Sequence, residues 1–202
     1  QCDSARPRSG GLHREGARVG GKRKPAAILL LCAEVGIHTI EHASDIDDEC
    51  IERILSHGSH SAIIPTLGPI GLMRSGMLGE SIAKKVRETS CEQKKMLEAS
   101  RVGVLTGWGT DVSLDYYSSN PGSEFLLRKE RGWTAVEMLE QATINSARII
   151  GMDDDLGTIK AGKIADLVIV DGKPDEDITV MTKYPWCILQ AGKVTCAEGV
   201  IG

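Results

Sequence analysis

The sequence predicts an α/β fold: short strands alternate with helices, and a small all-β segment follows. Three observations carry this expectation. The run Gly36-Ile37-His38-Thr39-Ile40-Glu41-His42 reads as a short buried strand ending on a histidine. The run Val102-Gly103-Val104-Leu105-Thr106-Gly107-Trp108-Gly109-Thr110-Asp111 reads as another, ending on an aspartate. After about residue 156, helical periodicity gives way to β-rich runs and Gly-containing turns. Alternating strands and helices imply a parallel sheet.

Residues 1–25 are rich in Gly, Arg and Lys with almost no apolar periodicity, so a basic or disordered tail is expected there. Ile37–Ile40 is the first candidate strand. Asp45 is a candidate N-cap for a helix from Asp47 to Ser56, with Ile51, Ile54 and Leu55 on one face and Gly58 as its stop. Ala62–Thr66 is the next strand, closed by Pro65. A Gly-rich loop follows, then a long helix from Glu80 to Ser100, with Ile82, Val86, Met96 and Leu97 near its apolar stripe. Gly103 opens the strand that leads to Asp111. Tyr116–Gly122 reads as a loop, and Ser123 starts a helix that Gly132 breaks. Thr134 and Glu137 have the spacing of a capping box. A short helix over Asn145–Ile150 ends at Gly151. Leu167–Val170, Cys187–Gln190 and Gly192–Val194 are the strands of the tail. Gly157, Gly162 and Gly172 are turn formers, Asp166 holds a turn through backbone amides, and Lys163 is solvated.

Composition narrows the function. The 202 residues carry 41% hydrophobic and 26% charged residues, which describes a soluble globular chain. Aromatic content is 3%, so aliphatic residues must fill the core. A net charge of -4 gives no electrostatic case for nucleic acid or a membrane surface. No run reaches the roughly 18–20 apolar residues of a membrane span. The apolar patch behind basic residues at Pro25–Cys32 is internal and lacks a cleavage site, which argues against a signal peptide. Six cysteines without a CxxC pair argue against a zinc ribbon and fit free thiols in the cytoplasm. No GxGxxG or GxxxxGK[ST] loop is present, so nucleotide binding is not expected.

The candidate chemistry lies at the strand ends. Parallel barrels carry their active sites at the C-terminal ends of strands. His42 and Asp111 there are the ligand types of a hard or borderline divalent metal. A buried backbone-bonded histidine and a turn or capping aspartate are the structural alternatives. His38 shares parity with His42 along the strand but is assigned to packing. His57 and His60 are assigned to the surface.

Three segments resemble the metal-dependent amidohydrolase superfamily, in its imidazolonepropionase-like and Xaa-Pro dipeptidase-like branch. They are Gly36–His42, Leu105–Asp111, and a C-terminal signature. That signature combines Ala142-Thr143-Ile144-Asn145-Ser146-Ala147 with Leu156-Gly157-Thr158-Ile159-Lys160-Ala161-Gly162-Lys163-Ile164-Ala165-Asp166-Leu167-Val168-Ile169-Val170. The resemblance covers roughly residues 32–195. It implies a partial (β/α)8 TIM-type barrel, about strands 5–8 at residues 32–155, followed by a small β-sandwich segment at residues 156–202. It also implies one or two divalent metals, zinc as the usual choice, activating water against an amide or cyclic amide carbonyl. Carried over, His42 is a metal ligand at the end of the sixth strand. Asp111 is both metal ligand and catalytic base at the end of the eighth. The loop from Val112 to Gly122, with Tyr116 and Tyr117, either contacts substrate or is a mobile surface loop. The expected partner is a small amide or peptide-like substrate; a homo-oligomer is compatible with the sequence.

The chain also departs from the family. The His-x-His pair of the first strand and the lysine of the fourth have no counterpart. His13 is near the place of the fifth-strand histidine, as a further metal ligand. Gly20–Leu31 reads as an insertion, and residues 1–31 as an irregular or wrongly translated segment. Two expectations follow: a metal-dependent hydrolase of C–N bonds in truncated form, or a catalytically inactive fragment or degenerate relative.

Overall fold

The computed structural model describes residues 25–56, 61–89 and 94–197. His13, His57, Gly58 and His60 lie outside these residues, as does the expected basic tail up to residue 24. The first helix, α1 (Pro25–Glu34), runs from within the stretch marked as an insertion into Cys32–Glu34 without a break. It packs against α2 (Asp48–Ser56). In α2, Cys50, Ile51 and Ile54 fall on one buried face. Leu55, expected on that face, is exposed. The cap also differs from expectation: Asp47, not Asp45, accepts the Cys50 amide at 2.9 Å.

Between these helices lies β1 (Thr39–Glu41), which pairs in parallel with β2 (Ala62–Ile64). Ile40 pairs with Ile63, and both are buried. Thr39, Ile40, Ile63 and Ile64 are β-branched, which suits strand backbone. A third parallel lane runs along β2. The Ile63 amide donates to Leu105 O at 2.9 Å, and the Gly107 amide returns to Ile63 O at 2.9 Å. Ile63 with Thr106 and Thr66 with Gly109 form isolated parallel bridges. The run before Asp111 is therefore laid alongside β2 as expected. It is held at single bridges, because its glycines supply no side chains to pack along a continuous strand.

The connection from β2 contains a helix where a loop was expected, α3 (Gly68–Arg74). Its first residue must be glycine. A Cβ on Gly68 would lie 1.9 Å from Thr110 O, so only a bare backbone lets the Gly68 amide donate to that carbonyl at 3.0 Å. The long helix expected over Glu80–Ser100 is instead α4 (Glu80–Thr89) and α5 (Lys94–Arg101). Ile82 is exposed, and Ala83 is the buried residue of α4.

Beyond Asp111, the expected Tyr116–Gly122 loop contains α6 (Leu114–Ser119). Ser113 caps it, accepting the Tyr116 amide at 3.4 Å. Next come α7 (Ser123–Glu130) and α8 (Ala135–Glu140), with Thr134 and Glu137 forming the expected capping box. A π-helix (Gln141–Asn145) interrupts the coil before α9 (Ser146–Ile149). Single π turns commonly occur at functional positions. This one turns Gln141 inward and brings Ser146 Oγ to 3.2 Å from the Trp108 amide.

The tail is a three-stranded antiparallel sheet of β3 (Leu167–Ile169), β4 (Cys187–Gln190) and β5 (Lys193–Ala197). Among the described residues the tail forms this one sheet. Asp166 holds a turn as expected, accepting the Ala191 amide at 2.7 Å. Gly157, Gly162 and Gly172 all have positive φ. Lys163 is not merely solvated: its ammonium donates to Asp153 O and, at 2.9 Å, to Leu156 O, closing the loop before β3. A 3₁₀ helix (Ile178–Thr182) packs the tail against α7 with Ile178 buried. There, Gly122 lies so close to the backbone of Met181 that a Cβ would sit 2.1 Å from Met181 O. No described helix is long and apolar enough to cross a membrane. Cys32, Cys50, Cys187 and Cys196 are free thiols.

Candidate active site

The parallel lanes deliver three side chains to one end of the sheet. His42 follows β1, Thr66 lies two residues beyond β2, and Asp111 ends the third lane. The His42 amide donates to Ile64 O at 3.0 Å, which extends the β1–β2 ladder to the histidine itself. His42 Nδ1 lies 2.6 Å from Thr66 Oγ1 and 4.0 Å from Asp111 Oδ2. The first is a hydrogen bond. The second is an electrostatic approach between side chains that are 54% and 58% exposed, so an exogenous group can reach both.

The backbone at this end is unusual. His42, Ala43 and Asp111 have φ of 66°, 47° and 52°, in the left-handed region that non-glycine residues rarely enter. The Ala43 amide donates to Glu41 O at 2.8 Å, so His42 sits at the centre of a three-residue turn of the strained hand. Such strain persists only where surrounding structure enforces it, and it clusters at functional sites.

The sequence brought out His42 and Asp111, and the structure brings them together. Thr66 was passed over, although it too closes an apolar run. His38 lies before β1; it is exposed rather than packed in the core as expected, with its Nε2 2.5 Å from Ile149 O. Tyr116 is 5% exposed, with its hydroxyl against Gly71. Tyr117 on the same helix is half exposed.

Beneath the cluster lies a buried ion pair that the sequence reading missed. Arg128 is 0% and Glu124 is 2% exposed, with Arg128 Nε donating to Glu124 Oε1 at 2.9 Å. The signal was an i, i+4 Glu–Arg pair flanking the apolar run Phe125-Leu126-Leu127. The guanidinium also lies 4.3 Å from the Trp108 ring centroid. Burial pushes the Glu124 carboxyl up to about 7, opposed by the Arg128 charge and the Leu67 amide.

An amidohydrolase family profile matches residues 26–189. The chain belongs to the amidohydrolase family. Members of that family generally use divalent metal ions. Among its relatives is a probable imidazolonepropionase of Bos taurus, 26% identical over 75% of this chain and 32% of that protein. A 5-methylthioadenosine/S-adenosylhomocysteine deaminase of Symbiobacterium thermophilum is 31% identical over 42% of this chain and 23% of that protein. Among solved structures, a prolidase complexed with N-methylphosphonate-L-proline superposes with a TM-score of 0.75 and 29% identity. It covers 85% of this chain and 43% of that one. The chain thus spans about a third or less of the length of these curated relatives.

An imidazole and a carboxylate, both accessible and converging at a strand end, suit a divalent metal. They fit two of its ligand positions. Among the described residues no group of three or more His, Cys, Asp or Glu could hold a metal ion. A ligating imidazole passes its other N–H to an acceptor. Thr66 Oγ1 lies at Nδ1, the ring nitrogen that Asp111 Oδ2 also approaches.

Proposed function

We propose that the chain carries part of a divalent-metal site for hydrolysis of a C–N bond in an amide, cyclic amide or dipeptide. The site would occupy the open end of a partial (β/α)8 barrel. The observation that supports this most is the convergence of His42, Thr66 and Asp111 where parallel lanes end. The sequence likeness to a probable imidazolonepropionase runs over 75% of the chain and that to the deaminase over 42%, which supports an amide or cyclic amide substrate.

His42 and Asp111 would hold the ion, with zinc the expected metal and His13 a further candidate donor. The chemistry such an ion supplies is a lowered pKa for its water and a polarised carbonyl. Asp111 accepts the proton of the attacking water and returns it to the departing nitrogen. Thr66 keeps the His42 ring in one tautomer and orientation. Tyr117 is the aromatic left to face a substrate.

The test combines elemental analysis for bound zinc with hydrolysis of Xaa-Pro dipeptides and N-acyl amides. Wild type, His42→Ala and Asp111→Asn are compared. The expected outcome is metal lost with His42→Ala and hydrolysis reduced about 10²–10⁴-fold by Asp111→Asn. Metal binding or hydrolysis indifferent to both substitutions would overturn the site. Metal bound without turnover of any amide would favour the second reading, a family member without activity of its own.

A further inference from the structure

Thr66 is the pivot of the strand-end cluster, because its hydroxyl meets His42. The peptide groups on both sides of it are held by one buried pair. Arg128 Nη2 donates to Pro65 O at 2.6 Å, and Glu124 Oε2 accepts the Leu67 amide at 3.0 Å. Arg128 Nη1 donates to Gly107 O at 3.3 Å and to Gln141 Oε1 at 2.5 Å. One guanidinium therefore ties the end of β2 to the lane that leads to Asp111, and ties both to the π-helix.

Stability alone is a poor reason for such a pair. Two charges taken out of water cost more than well-packed apolar residues of the same volume. What the pair supplies is direction. A planar fork with its donors at fixed angles sets the separation of the carbonyls it joins.

We propose that Glu124 and Arg128 are positioning residues for the candidate site. By fixing the peptides on either side of Thr66, they hold its hydroxyl where it takes the Nδ1 proton of His42. That leaves Nε2 as the nitrogen offered to a metal. The metal half of this proposal rests on the function proposed above; the hydrogen-bond half does not.

The test uses the ¹⁵N-histidine-labelled, metal-free chain at alkaline pH, with His42 assigned by His42→Gln. Two-bond ¹H–¹⁵N correlations report the tautomer. The wild type is expected to show His42 with its proton on Nδ1, the less common form in free histidine. Thr66→Val, Arg128→Lys and Glu124→Gln should each return it toward the Nε2–H form while far-UV circular dichroism is retained. Cobalt affinity should fall about ten-fold or more in each.

Folded Arg128→Lys and Glu124→Gln variants that keep both the Nδ1–H tautomer and the cobalt affinity would overturn the proposal. Should both unfold, Gln141→Met decides, since it frees one arm of the guanidinium; an unchanged tautomer there also overturns it. A wild type with the Nδ1–H tautomer that is lost in the variants, but with no cobalt bound, supports positioning and removes the metal reading.

Discussion

At His42, two demands oppose each other. The ring is wanted at the strand end, yet the backbone that puts it there has a φ of 66°, which costs an L-residue about 1–3 kcal/mol. Glycine occupies that conformation freely. His42→Gly should therefore be more stable than His42→Ala by about 1 kcal/mol, measured by urea unfolding, although both lose the imidazole. Equal stabilities would mean that the turn relaxes when the ring is removed. Asp111, at φ 52°, shares this conformation, so the two residues with the most evident chemistry also hold strained backbone. Both were legible in the sequence, because each ends an apolar run on a ligating side chain. Thr66 carries the same positional mark but a less conspicuous side chain. Arg128 was less legible: its i, i+4 spacing marks Glu124, but no spacing encodes its bonds to Pro65 O, Gly107 O and Gln141 Oε1.

The helices are held by discrete end contacts, and the capping box of α8 is the clearest. Thr134 Oγ1 accepts the Glu137 amide at 3.2 Å, and Glu137 accepts the Thr134 amide at 2.7 Å. Arg101 adds a two-point contact from α5, at 2.9 and 3.2 Å. That contact, with the Thr134 bonds, holds the Glu137 carboxyl below its ordinary value of 4.5. The folded form thus binds this proton less readily than the unfolded form. The stabilisation is present in full above 4.5 and is lost as pH falls through the lower folded value. Glu137→Gln should flatten the acid limb of the stability curve, and Thr134→Ala should cost about 1 kcal/mol at neutral pH. An acid limb unchanged by Glu137→Gln would assign the loss to other carboxylates. This box was readable from four residues because its contacts are local. The α6 helix was not: a Ser-Asn-Pro-Gly run suggests a loop, and the Ser113 cap with buried Tyr116 outweighs it. The Glu80–Ser100 stretch showed one amphipathic pattern where the chain forms two helices, since periodicity alone does not mark a break.

Among the described residues, the antiparallel tail is joined to the body through the 3₁₀ helix, whose Ile178 lies in the main apolar core. Ile178 is buried against the α7 side, Lys129 approaches Asp177 at 3.6 Å, and the Tyr184 hydroxyl donates to Ser118 O at 3.2 Å. The tail's signature residues were legible because they build tight turns, whereas its docking was not, since that depends on shape. At the centre of this seam is Gly122, with φ 68° and the Met181 carbonyl where a side chain would begin. Gly122→Ala is expected to split one calorimetric transition into two and to open the chain to trypsin at Lys183, whose peptide bond to Tyr184 follows the 3₁₀ helix. A single transition at the wild-type temperature would show that the halves melt together for some other reason. The joint works as a keyhole does: what lets the two parts lock is a space one carbon atom wide, and filling it would turn one cooperative unit into two.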